Sequence, residues 1–130
     1  MKIEQAAPVL LSTDLERTAA WWRDALGWEF ELFGELPSFG IASRDGARVM
    51  YALTEVPVVP NWRIVNATWN VYIRVDDVDA WHGDINGRGV ELDYCLGDQP
   101  WGMREFGVQD PDGHDIAFGQ PVVPAPAPAP

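Results

Sequence analysis

The chain has 130 residues, 47% of them hydrophobic, enough for one domain with a buried core and too few for two independent ones. Its formal net charge of −11, from 20 acidic and 9 basic residues, repels phosphate backbones and disfavours nucleic-acid partners, while it attracts cations. No run approaches the roughly 20 apolar residues of a membrane span, no export signal opens the sequence, and the single cysteine, Cys95, has no internal disulfide partner. The expected address is therefore the cytoplasm.

In chain order, "PVLLS" (8–12) reads as a first strand. Leu15, Ala19, Trp22 and Leu26 then fall at helical spacing on one face, so a helix is expected from Leu15 to Leu26. Thr13 and Glu16 stand in the relation of a capping box, and Gly27 is a natural stop. "WEFELF", "SFGIAS" and "ARVMYAL" follow as three strands, the last two joined by the turn "RDGA". The stretch 54–67, with two prolines and no period, reads as a linker or arm. Beyond it the plan repeats. "TWNVYIRV" is a strand, and Val78, Trp81 and Ile85 mark the inner face of a helix that begins near Asp77 and ends at "NGRG". "VELDYC", "MREFGVQ" and "HDIAFG" supply three more strands, and Cys95 is expected to be a small packed residue.

Two offsets support the repeat. A shift of 63 residues carries Asp14-Leu15 onto Asp77-Val78 and Trp22 onto Ile85, and a shift of 67 carries "DGARVMY" (45–51) onto "DGHDIAF" (112–118). Neither copy can bury a core alone, so the two must pack together or against a partner chain. The modules span about 6–54 and 68–119 of one domain (1–120), with a linker at 55–67. The Pro/Ala tail 121–130 reads as a disordered polyproline-II extension.

The segments "PVLLSTDLERTAAWWRDALGWEFE", "YIRVDDVDAWHGDINGRGVEL" and "WGMREFGVQDPDGHDIAF", in this order and spacing, resemble the vicinal-oxygen-chelate superfamily of glyoxalases, bleomycin-resistance proteins and extradiol dioxygenases. "PVL", "LGWEFE" and "WGMREFGVQDPDG" are most similar to the bleomycin-binding resistance proteins. The resemblance implies an α+β fold of two paired βαβββ modules, with curved mixed sheets around a cleft. It also implies a homodimer that exchanges N-terminal strands and a drug held without turnover.

Enzymes of that superfamily place metal ligands on the first and last strand of each module. The matching positions here are Ala7, Met50, Asn70 and Ala117. Ala offers no donor, Met is soft and an Asn amide is a weak neutral oxygen, so a metal needing about three protein ligands is not expected. His82 and His114 each stand alone, with no nucleophile arranged beside them. No cofactor is expected, and no enzyme activity.

The cleft is then a cavity walled by aromatic and apolar groups. Trp101 sits in the Gly/Pro-flanked loop "GDQPWG", outside any regular strand face. By resemblance it matches an aromatic that stacks on the drug's flat rings, and Phe39 matches a second across the dimer interface, although Phe39 also suits an ordinary core. Trp62 either caps the cleft or packs at an interface. Tyr51 and Met103 are expected to line the wall, Asn70 to offer a hydrogen bond from the floor, and Pro8 to cover the ligand from the exchanged strand. Glu105, Asp98 and Glu35 are candidates for receiving a cationic tail. The alternatives are a binder of another flat ring-rich natural product, a superfamily enzyme acting on a small organic substrate, and a module whose exposed aromatics meet another protein.

Overall fold

The computed structural model describes residues 1–122. Strand β1 (Val9–Ser12) leads into helix α1 (Leu15–Ala25), followed by β2 (Glu29–Phe33), β3 (Phe39–Arg44) and β4 (Ala47–Leu53). After a single 3-10 turn at Asn61–Arg63, β5 (Val71–Arg74), α2 (Val78–Gly87), β6 (Tyr94–Asp98), β7 (Met103–Gln109) and β8 (Asp115–Pro121) repeat the order. Each module is a four-stranded sheet, β1-β4-β3-β2 and β5-β8-β7-β6, in which the first and last strands run parallel and the other pairs antiparallel. The expected α+β architecture of paired βαβββ modules is what the chain forms. In the single chain, β1 pairs with β4 of its own module.

Both offsets survive in three dimensions. Asp14 and Asp77 are the two N-caps, each accepting the backbone N–H three residues on, from Arg17 and Ala80 at 3.1 Å. Thr13–Glu16 is accordingly not a capping box. The Thr13 hydroxyl instead donates to Asp112, 2.7 Å away in the other module. Trp22 and Ile85 are both completely buried. In the ladders Met50 lies beside Val9 and Ala117 beside Tyr72, so the last strands keep the 67-residue shift and the first strands the 63-residue one.

One face of each sheet carries the helix. Leu10, Phe30, Ala42, Val49 and Tyr51 of the first sheet are buried there with Leu15, Ala19 and Trp22 of α1. Val71, Ile73, Phe106, Val108, Ile116 and Phe118 of the second are buried with Val78 and Ile85 of α2. The alternation of period two leaves the other face of each sheet open. On the first sheet that face presents Val9, Leu11, Phe33, Phe39, Ile41 and Met50, with Val9 56% and Leu11 43% exposed.

The modules interlock at the Asp110–His114 turn. Trp22 Nε1 donates to the Tyr51 hydroxyl (3.0 Å), which donates to Asp110 Oδ2 (2.7 Å); His114 Nδ1 lies 2.8 Å from the same oxygen. Burial first, then the Asp110 charge, pushes the Tyr51 hydroxyl well above its ordinary range. Tyr51 is thus a buried strut on the helix side, not a wall residue. Two further expectations differ. "VELDYC" enters its ladder only at Tyr94, so β6 lies later than expected, and Cys95 is exposed rather than packed. Of the expected tail, Pro121 closes β8 and the Val122 N–H bonds the Gly102 carbonyl; 123–130 lie outside the described residues.

Candidate binding pocket

A pocket of about 280 Å³ opens on the free face of the second sheet, lined by Ala67, Trp69, Asp93, Tyr94, Gln99, Trp101, Glu105 and Asp115. Strand pairing builds its floor. Met103, Glu105 and Gly107 of β7, Ala117 and Gly119 of β8 and Tyr72 of β5 share this face by alternation and register. Two glycines let aromatic rings lie flat on it. A Cβ on Gly107 would collide with the Tyr94 ring, and one on Gly119 with the Tyr72 hydroxyl.

The rings meet at one carboxylate. Glu105 is completely buried. Its Oε1 accepts from Trp101 Nε1 (2.8 Å) and the Tyr72 hydroxyl (3.1 Å), and its Oε2 accepts from the Tyr94 hydroxyl (2.6 Å). Trp69 Nε1 donates in turn to the Tyr94 oxygen (3.0 Å). The Trp69 ring packs edgewise on Tyr72 at 4.8 Å and on Trp101 at 6.3 Å between centroids. Burial, then the Glu105 charge, pushes the Tyr72 hydroxyl up to about 12. Burial and the hydrogen bond to Glu105 raise Tyr94 further. Neither ionises near neutrality, so both remain donors.

Two more carboxylates stand beside the rings. Gln109 Nε2 bridges Asp115 (2.9 Å) and Asp93 (3.2 Å). Burial raises Asp115 to about 6, with the Asp93 and Asp110 charges adding and the Gln109 hydrogen bond opposing. Above that pH the pocket gains a negative charge. Its chemistry is that of a hydrogen-bonded aromatic surface with an acidic rim, suited to a flat and cationic partner.

Of the expected site residues, Trp101 and Glu105 come together here. Trp101 is 58% exposed, and Glu105 lies beneath it rather than at the surface where a cationic tail would reach it. Met103 begins β7 on the same face but does not line the pocket. Asp98 is exposed and paired to Arg104 at 3.0 Å. Trp62 donates to the Gly113 carbonyl at 2.6 Å, packing against the turn rather than capping the pocket. The Asn70 Oδ1 accepts from the Asn61 N–H (3.1 Å) and so pins the arm. Pro8 precedes β1, its carbonyl accepting from Met50 N–H, and Phe39 lies on the open face of the first sheet, 6.2 Å from the Phe33 ring. Tyr72, Tyr94, Trp69, Asp93 and Asp115 escaped the sequence reading; Gly107 and Gly119, mid-strand and on one face, were its available signal.

The four strand positions tied to metal binding do not fit a resident divalent ion. Ala7 and Ala117 have no donor, Met50 is soft, and the Asn70 oxygen is engaged by Asn61. Among the described residues no group of three or more His, Cys, Asp or Glu is arranged around a common centre for a metal. No helix among them is long and apolar enough to cross a membrane.

Among curated proteins none matches the chain. Solved structures do. A bleomycin-binding protein from bleomycin-producing Streptomyces verticillus, complexed with copper(II)-bleomycin, is 28% identical over 95% of this chain and 99% of its own, with a TM-score of 0.69. A bleomycin resistance determinant encoded on transposon Tn5 is 22% identical over 93% and 100%, with a TM-score of 0.74. A glyoxalase-related enzyme from Clostridium phytofermentans is 17% identical over 94% and 98%, also at 0.74. The latter two likenesses show the fold alone. Residues 2–118 match the Glyoxalase/Bleomycin resistance protein/Dioxygenase superfamily, and the chain belongs to that family.

Proposed function

We propose that this protein sequesters a flat, cationic, ring-rich antibiotic of the bleomycin type and releases it chemically unchanged. The observation that carries this reading is the exposed indole of Trp101, fixed over buried Glu105 beside Trp69, with Asp93 and Asp115 at the rim. A planar ring stacked there gains ~0.5–1.5 kcal/mol beyond area burial, and the net charge of −11 favours capture of a cation. The 28% identical bleomycin-binding neighbour supports the choice of ligand. The binding unit in this proposal is a homodimer. The open apolar face of the first sheet, with Val9, Leu11, Phe33 and Phe39, covers the pocket of a second copy and sets Phe39 opposite Trp101.

The test is a tryptophan-fluorescence titration of metal-stripped protein with metal-free bleomycin at low and high salt, followed by mass spectrometry of the recovered drug. Saturation at about one drug per chain, weaker in salt, with unaltered mass, is the expected result. No saturable response, or a changed drug, overturns the reading.

A further inference from the structure

Packing does not fix the ring most exposed to a ligand. Trp101 is 58% exposed, and it lies in the loop between β6 and β7, which turns at Gly102 (φ +83°). Among the described residues its one aromatic neighbour meets it edgewise at 6.3 Å, and its one side-chain hydrogen bond runs from Nε1 to Glu105 Oε1. An indole so placed would sample several rotamers without that bond, and a ligand would bear the cost of ordering it.

We infer that Glu105 is the positioning residue of this pocket, holding Trp101 in one orientation before any ligand arrives; the inference rests on the sequestration reading. The donors around Glu105 call for a carboxylate and not merely an acceptor. Trp101 and Tyr72 use Oε1, while the Tyr94 hydroxyl, already accepting from Trp69, directs its proton to Oε2. The amide of Gln has one acceptor oxygen and one donor nitrogen. Facing Oε2's partner with that nitrogen strands the Tyr94 proton, and facing Oε1's partners with it strands the Trp101 N–H. Either way the hold on Trp101 weakens, because an amide oxygen that still faces Nε1 accepts less strongly than a carboxylate.

The experiment reads Trp101 with and without ligand. Indole ¹⁵N–¹H spectra of the unliganded protein give the exchange rate of the Trp101 N–H with D₂O. Affinity for metal-free bleomycin is then compared across wild type, Glu105→Gln, Trp101→Ala and the double variant. The expected results are slow exchange in wild type despite ring exposure, faster exchange and about tenfold weaker binding in Glu105→Gln, and no further loss from Glu105→Gln once Trp101 is gone. Wild-type exchange as fast as a free indole overturns the inference even if Glu105→Gln fails to fold. So does a Glu105→Gln protein with unchanged exchange and affinity, or one whose loss simply adds to that of Trp101→Ala. Should wild type not bind bleomycin, the sequestration reading falls, and the exchange rates of the unliganded proteins still decide whether Glu105 holds Trp101.

Discussion

Replacing Trp101 with Ala is the most direct perturbation of the proposed site. A fully covered tryptophan buries about 150–250 Å², and 58% of Trp101 is free. A ligand lying on that free surface would remove about 100 Å² from water, worth ~2.5 kcal/mol at about 25 cal/mol/Å². Stacking adds ~0.5–1.5 kcal/mol. Ala retains part of the contact, so the net loss should be ~2–3 kcal/mol, roughly 30- to 150-fold in Kd. Isothermal titration with metal-free bleomycin measures the loss directly, and a thermal melt run alongside should be nearly unchanged, since the ring lies outside the core cluster and water entering its place can replace the bond to Glu105. An affinity within about threefold of wild type, with an unchanged melt, would refute the stacking argument.

Tyr51→Phe removes the hydroxyl that links Trp22 to Asp110 and leaves both without that partner. It should cost ~2–4 kcal/mol, seen as a lower urea midpoint with little effect on affinity; an unshifted midpoint would discount the strut. The raised pKa of Asp115 has a definite sign. The folded chain holds the proton more tightly than the unfolded one, so this group favours folding fully below its ordinary value and loses that contribution as pH rises through about 6. Asp115→Asn should therefore raise Tm more at pH ~7.5 than at pH ~4.5, and equal shifts at both would contradict the assignment. For ligand binding the sign reverses. A cation should bind more weakly as pH falls through about 6, with Asp115→Asn flattening the profile in the titration. Finally, Phe39→Ala should weaken binding by about tenfold without altering the isolated fold, because its ring lies on the other sheet; wild-type affinity in this variant would argue against a site shared between copies.

The duplicated plan was legible because its signals are local. An Asp before each helix and an Asp-Gly turn before each last strand can be read without any knowledge of tertiary contacts. The start of β6 was not, because Val90 and Leu92 alternate like a strand while pairing with β7 begins only near Tyr94. Trp101 stood out as an aromatic in a Gly/Pro loop. Tyr51 was misplaced for a reason of parity: it adjoins Met50 on β4, and neighbours on a strand cannot share a face. The acidic rim was hidden because Asp93 and Asp115 are brought together only by strand pairing and Gln109.

The two halves are plug and socket rather than copies. The 67-residue shift carries Asp110 onto Ser43 and His114 onto Ala47, so the first module's turn lacks these two groups and meets the other half differently, with the Arg44 guanidinium 4.5 Å over the Trp81 ring. The same shift carries Tyr51 onto Phe118, which has no hydroxyl to receive Asp110. A protein assembled from two first modules would lack the Asp110 end of that contact, and one from two second modules would lack the Tyr51 hydroxyl. Whatever ancestral duplication produced the chain, its halves have since become complementary. Module shuffling among relatives would have to exchange the Tyr51 strand and the Asp110–His114 turn together.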